Sequence, residues 1–362
     1  MAIKILGDIV SVVSEHISNP SKSGYHIFVG LEHYDSGEPV ITRHGSTEQL
    51  ESSVKHFIEG DILVARRNVY LKRAGVVNFE GVTSGDSIVL RVKEEKYKDI
   101  IPFILNTDDF WDYAEQNSDG TMSKRLAPDV LLEYECNIPE NHQSIADKLW
   151  AAYKLKVSYK QMITATDEMV KSQFIEMFGS IAENSKHLPQ KKLGEVATLL
   201  NGRAYKANEL LSQGKYIVLR VGNFFTNADY YYSDMELDPD KYCDTGDFLY
   251  SWSATLGAQI WSGEKVIYHY HIWKVVFDEA VLNKKYFCYM LNYMTDALKQ
   301  ETHGSTMVHL TKEGMEKKLI VVPSLEDQNK FSNILEQADK SKFELRKSIE
   351  AIDAVIKSLI NG

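Results

Sequence analysis

The chain repeats one helix, and that repetition constrains its fold more than any other feature. Leu149, Ala152, Lys156, Ile163, Asp167, Lys171 and Ser172 recur as Leu335, Ala338, Lys342, Ile349, Asp353, Lys357 and Ser358, each 186 residues later. Most of these positions lie three, four or seven apart, the spacing of one helix face. Each copy follows a proline, Pro139 or Pro323, that closes a β-rich stretch. The repeated unit is therefore a globular domain plus a long helix, and a repeat of that size fixes the architecture before any local assignment. Two such units should carry two similar surfaces at a fixed separation.

The echo extends beyond the helices. Leu193-Gly194-Glu195-Val196 answers Leu6-Gly7-Asp8-Ile9, residues 214–221 answer 24–31, and Gly246-Asp247-Phe248-Leu249 answers Gly60-Asp61-Ile62-Leu63. Residues 304–307 and 320–323 answer 119–122 and 136–139 in the same way. This divides the chain into a first domain (1–139), a helical segment (140–179), a polar linker (180–190), a second domain (191–323) and a second helix (324–361). Within the domains, short apolar runs such as 27–29, 61–65 and 87–91 sit between glycines and read as strands. Residues 99–116 read as helical after Pro102, and His269 and His271, two apart, read as strand residues facing the same way.

Both long helices carry a continuous apolar stripe. In the second, Phe331, Ala338, Leu345, Ile352 and Leu359 fall on a strict seven-residue repeat, flanked by Leu335, Ile349 and Ile356. In the first, Leu149, Ala152, Ile163 and Val170 take the matching positions. Packing on its own domain explains either stripe alone; two matched stripes favour pairing of the helices with each other. Ser324 and Asp327 open the second as a capping box. The fold class is α+β, two β-rich globular domains alternating with two long helices.

Several classes of protein are disfavoured. No run of about 18 apolar residues is present to span a bilayer, and residues 1–10 lack the apolar core of a secretory signal. The three cysteines, Cys136, Cys243 and Cys288, are scattered without a CxxC pair, which suits a reducing cytoplasm. No phosphate-cradling loop, dinucleotide turn, nucleophile elbow or HExxH helix occurs. Asn19-Pro20-Ser21 is a turn, not the Asn-Pro-Pro-aromatic element with which amino-methyltransferases hold a base. The expectation is a non-catalytic chain with no metal.

The formal net charge is −10, yet the charges are segregated. Residues 66–73 (RRNVYLKR) carry four cations and no acid, and residues 191–220 carry six cations against two acids. Residues 234–247, by contrast, hold six carboxylates and one lysine. Local basic faces of this kind suit a nucleic-acid backbone. Candidate contacts in the first domain are Lys22 and the pairs Arg43-His44, Arg66-Arg67, Lys72-Arg73 and Lys124-Arg125. In the second they are Arg203, Lys206, Arg220, Lys265 and Lys312, with Asn201, Asn223, Ser251, Ser253, Thr255, Ser305 and Thr306. Arginine and asparagine match guanine and adenine edges in pairs of hydrogen bonds, whereas lysine and hydroxyl groups suit phosphates.

With these residues in place the chain resembles the specificity subunit of type I restriction-modification systems. The likeness rests on Leu193-Gly-Glu-Val196, Gly246-Asp-Phe-Leu-Tyr-Ser-Trp-Ser253, Gly304-Ser-Thr-Met-Val-His-Leu310 and Ile320-Val-Val-Pro323 before Asp327-Gln328. Lys171-Ser-Gln-Phe-Ile-Glu-Met-Phe-Gly179 closing the first helix also belongs to it. The second half matches more closely; in the first, Arg66-Arg67 replaces a small polar pair. The resemblance implies two target-recognition domains, each reading half of a split double-stranded DNA target. It implies an antiparallel coiled coil of the two helices that sets the gap and docks methyltransferase (M) subunits, two of them, with restriction/translocase (R) subunits joining. S-adenosylmethionine, Mg and ATP would then sit on those partners, with none on this chain. A non-catalytic protein–protein scaffold, two β-rich interaction domains on a helical strut, is the alternative that the residues alone leave open.

Overall fold

Strand Ile62–Ala65 is buried along its whole length, as an uninterrupted Ile-Leu-Val-Ala run requires when both faces of a sheet are covered. It lies at the centre of a five-stranded sheet in the order Val10–Val13, Ser87–Val92, Ile62–Ala65, Ala74–Val77, Val40–Ile41. A second sheet orders His16–Ile17, Val54–Phe57, Gly81–Thr83, Ile27–Val29 and Gly45–Ser46. A two-stranded ribbon, Ala2–Ile5 with Glu135–Ile138, closes this part of the chain. We describe here a computed structural model, covering residues 2–120, 123–180, 183–226, 229–301 and 310–361.

The same plan recurs after residue 186. One sheet orders Ala197–Asn201, Ile272–Phe277, Phe248–Ser251 and Gly257–Ile260; another orders Tyr231–Ser233, Tyr216–Leu219, Val266–Tyr268 and Tyr242–Cys243. Gln190–Lys192 with Leu319–Val321 forms the ribbon. Each half contains a parallel pairing at the corresponding place, Ile27–Val29 with Gly81–Thr83 and Tyr216–Leu219 with Val266–Tyr268, and the first adds another, Val40–Ile41 with Ala74–Val77. Turn chemistry repeats as well. Gly60 and Gly246 stand at φ 87° and 91°, a region open to glycine without a Cβ penalty. The aspartate after each accepts a main-chain N–H at its own turn, Ile58 N–H to Asp61 at 2.9 Å and Asp244 N–H to Asp247 at 2.8 Å.

The region read as one helix over residues 99–116 is two, Ile101–Ile104 and Asp108–Gln116. The break has a local cause. Asn106 donates its side-chain amide to the carbonyls of Ala74 and Pro102, and Thr107 caps the second helix by accepting the Phe110 N–H.

The long helices are His142–Phe178 and Leu325–Asn361, 37 residues each, or about 55 Å at 1.5 Å per residue. Gly179, at φ 74°, ends the first, and the Ser324 hydroxyl accepts the Asp327 N–H at the start of the second. Compactness divides the chain into Met1–Gln161 with Leu345–Gly362, and Met162–Glu344, so each unit contains half of each helix. In the first unit Leu149 and Tyr153 join a core that Ile356, Leu359 and Ile360 pack against. In the second, Val170, Phe174 and Phe178 share a core with Phe331 and Ala338, and Leu335 packs on it. Ala152, Ile163, Leu345, Ile349 and Ile352 of the expected seam are half-buried.

The duplicated residues pair with one another. Lys156 meets Asp353 at 2.6 Å, and Lys342 meets Asp167 at 2.8 Å. Within the second unit Asp167 meets Lys342 and Phe174 meets Phe331, so there residue number rises along one helix as it falls along the other and the two run antiparallel. The same lysine and the same aspartate of the repeat make both bridges.

Candidate nucleic-acid interface

In the first unit a loop, residues 66–73, leaves strand Ile62–Ala65 and passes the turn 84–86 that leads into Ser87–Val92. Arg66 makes two main-chain bonds that fix the loop: its N–H donates to the Asp86 carbonyl of the turn at 2.9 Å, and its carbonyl accepts the Leu126 N–H at 2.8 Å. Asn68 takes a left-handed conformation, φ 55°. A third bond fixes the adjacent bend, where the Gly30 N–H donates to His33 Nδ1 at 2.9 Å.

The second unit builds the same corner. Trp252 N–H donates to the His271 carbonyl at 3.1 Å, Leu310 N–H to the Trp252 carbonyl at 3.2 Å, and Ala254 stands at φ 61°. At the adjacent bend Arg220 N–H donates to Asn223 Oδ1 at 3.2 Å. The backbone is held alike and the side chains are exchanged.

In the first corner those side chains are cations. Arg67 and Arg125 converge on Asp86, at 3.6 and 3.3 Å, and Arg67 Nε also donates to the Ser123 hydroxyl. Lys55, on strand Val54–Phe57 of the other sheet, donates to the Ser87 carbonyl at 2.8 Å. Arg73 reaches the carbonyls of Leu31 and Arg67. Burial, and then the nearby Arg66 charge, lower the Lys55 pKa; burial likewise lowers that of Arg73. The Nε atoms of Arg66 and Arg73 are buried without an acceptor among the described residues. A cluster this rich in guanidinium groups, with Asp86 as its counter-ion, can receive further anions.

In the second corner the side chains are aromatic and imidazole. His269, Tyr270 and His271 form the turn between Val266–Tyr268 and Ile272–Phe277, which corrects the expectation that both histidines lie on a strand. The sharp reversal brings their rings together, His269 to His271 at 4.8 Å and Tyr270 to His271 at 3.9 Å between centroids. Trp252 stands edge-on to His271 at 5.1 Å, and its indole N–H donates to the Tyr270 carbonyl at 2.8 Å. Burial, then the charges of His271 and Arg220, push the His269 pKa down to about 4, so its ring is neutral at physiological pH. The Arg220 guanidinium lies 4.9 Å over the Tyr231 ring and makes no ion pair among the described residues.

The remaining candidates scatter. Arg203 is engaged by both Glu209 oxygens, at 2.8 and 2.9 Å, and that pairing holds the Glu209 carboxyl down at about 2. Arg43 pairs with Asp35, Lys72 with Asp108, and Lys312 with Glu316. Lys124 donates to the Glu115 carbonyl near the first corner, and Lys265 lies over the Tyr242 ring. Lys22, His44, Asn201, Lys206 and Thr255 are exposed, and Asn223 serves the bend. Ser251 and Ser253 are buried, and the Ser251 hydroxyl donates to the Ser253 carbonyl; this corrects the expectation that they present hydroxyls to a ligand. Ser305 and Thr306 lie outside the described residues. Sequence reasoning missed Asp86, Trp252 and Tyr270. A signal for Trp252 was there, because Arg66 and Trp252 stand at the 186-residue offset of the helices.

The fold is thus a duplicated β-rich scaffold, each copy with the same backbone corner and its own set of side chains. Residues 188–353 match the family described as the type I restriction modification DNA specificity domain. The specificity subunit of the type I restriction enzyme EcoBI from Escherichia coli is 23% identical over 180 residues, 47% of this chain and 38% of that protein. The MjaVIII specificity subunit of Methanocaldococcus jannaschii is 26% identical over 114 residues, 32% of this chain and 27% of its own length. The chain thus matches well under half the length of these curated relatives. Among solved structures, the type I restriction-modification S subunit from M. genitalium superposes with a TM-score of 0.56 at 13% identity, covering 99% of this chain and 94% of that one. A chain from a structure concerned with assembly and conformational transition of a type I R-M system gives 0.55 at 16%, covering 99% and 96%. The second half of the chain is thus similar to the type I restriction-modification specificity family, and its fold is that of the S subunits solved so far.

Proposed function

We propose that the chain is the sequence-specific DNA recognition subunit of a type I restriction-modification complex and performs no chemistry itself. Each β-rich domain reads one half of a bipartite double-stranded target, and the helix pair sets the gap between the halves. The observation that carries this is the corner built twice: the same two main-chain hydrogen bonds, beside a bend closed by a side-chain acceptor, present arginines in one unit and aromatic rings in the other. A symmetric frame with two different readers suits an asymmetric split target. The helical surface docks methyltransferase subunits, with restriction subunits joining them. S-adenosylmethionine, Mg and ATP belong to those partners, and neutralisation of phosphates by them offsets the net charge of −10 here.

Footprinting of the chain assembled with its methyltransferase should show two short protected blocks flanking a sequence-indifferent gap. Methylome sequencing of the source cell should show the matching bipartite motif. One continuous protected block, or no DNA affinity in the assembled complex, overturns the reading and leaves a protein–protein scaffold.

A further inference from the structure

We propose that the corner is the base-reading element of each unit, working through Tyr270, His271 and Arg220 in the second and through the arginines gathered on Asp86 in the first. This rests on the DNA-recognition reading above and names the residues that would carry it.

Tyr270 is built as a rigid presenter. Its N–H donates to the Arg203 carbonyl at 3.0 Å, and its carbonyl accepts the Trp252 indole N–H at 2.8 Å. Both main-chain groups are satisfied inside the protein, while the residue keeps 37% of its surface exposed. The Arg203 segment can approach because residue 202 is glycine: a Cβ there would stand 2.3 Å from the Tyr268 carbonyl oxygen and 2.5 Å from that of His269. Beside this turn Arg220 differs from Arg203 in a decisive respect. Arg203 is neutralised by Glu209, whereas Arg220 lies over the Tyr231 ring and has no carboxylate partner among the described residues. An arginine held over a ring with its fork unspent matches the O6/N7 edge of guanine, and the rings of Tyr270 and His271 offer apolar faces to a thymine methyl. A pre-ordered aromatic loses little freedom on binding.

The first corner reaches the same end by charge. Arg67 and Arg125 share one carboxylate, so their forks are aimed but not consumed. Binding through such groups displaces counter-ions and weakens steeply with salt; binding through neutral rings does not.

The assembled complex with its methyltransferase subunits, tested on a randomised two-half-site DNA library, separates the outcomes. Tyr270→Ala and Arg220→Lys should each relax preference by about tenfold or more at one or two positions of a single half-site, leaving the gap and the other half unchanged. Arg67→Ala and Arg125→Ala should alter the opposite half. They should also lower the slope of log affinity against log salt by about 0.9 for each phosphate no longer neutralised, a slope that Tyr270→Ala leaves unchanged. Arg220→Lys keeps the charge and stem, so it carries the test if Tyr270→Ala melts early. Wild-type motifs in both halves for folded Tyr270→Ala and Arg220→Lys overturn the assignment while leaving DNA recognition standing. A wild-type complex that selects no bipartite motif overturns the recognition reading itself.

Discussion

The two units share a backbone and differ in what they hang on it. Arg66 and Trp252 make the same pair of main-chain bonds, Asn68 and Ala254 take the same left-handed turn, and Gly30 and Arg220 open the same bend. Beyond the Cα atoms the likeness ends. One corner gathers guanidinium groups on Asp86 and the other stacks rings around His271. The cores diverge in the same manner. Phe174 and Phe331, 5.2 Å apart in the second unit, stand where the repeat places Ile360 and Ile145 in the first. Main-chain hydrogen bonds ask nothing of side-chain identity, so a scaffold can be kept while its reading surface is replaced.

The largest difference should appear at Gly202, which has no glycine counterpart at residue 16. Gly202→Ala forces a Cβ against two main-chain carbonyls that cannot swing away. A destabilisation of about 3 kcal/mol is expected in chemical denaturation, with the second corner's selectivity abolished as well. Retention of full stability would mean that the close approach at His269 is dispensable.

Next come the twin lysines of the strut. Lys156 is one-tenth exposed and binds both Glu38, itself 14% exposed, and Asp353. Lys342 binds Asp167 and Asp339, both more than half exposed. Lys156→Ala should cost about 2 kcal/mol, because Glu38 keeps only Lys160, and Lys342→Ala under about 1 kcal/mol. Equal costs would erase the asymmetry inferred from burial.

A pH comparison follows. Burial opposes charge on the His56 ring, yet Glu15 at 2.9 Å and Glu80 at 2.8 Å outweigh it and raise the pKa above 6.5. The stabilisation is fully present below pH 6.5 and is lost as pH rises through the higher folded value. The repeat places Tyr242 at the matching position, which does not titrate there. Thermal melts should therefore show this contribution to stability falling as pH rises above 6.5, and His56→Gln should remove that fall. An unchanged pH profile in His56→Gln would detach the effect from this ring.

The smallest effect separates Ala254 from Asn68. Alanine is strained at φ 61°, while asparagine tolerates φ 55° through local hydrogen bonding. Ala254→Gly should stabilise by about 0.5–1 kcal/mol, and Asn68→Gly by less. A destabilisation in both would show that chain entropy outweighs strain.

Much of the frame was legible from residue order. The helix repeat, the glycine turns at 60 and 246 and the strand runs all carry their own periodicity or turn chemistry, so short windows suffice. The helix break at Asn106 was not legible, because it depends on the carbonyl of Ala74, 32 residues away. Nor was the partnering of residues 66–73, which look purely basic until Asp86 and Asp108 fold onto them. Asp108 lies between Lys72 and Lys357 at 2.7 and 2.6 Å, and those ammonium groups hold its carboxyl at about 2. Arg203 and Arg220 looked equivalent in sequence, and only the fold gives one its carboxylate and, among the described residues, none to the other.

The sequence by itself determined that this chain is a duplicated domain-plus-helix with a matched apolar seam, since identity at a fixed offset and a seven-residue period are properties of order alone. Only the tertiary structure decided which residues meet at the corner. Loop and turn are distant in the chain, Arg66 from Asp86 and Trp252 from His271, and they meet only once the intervening strands have paired.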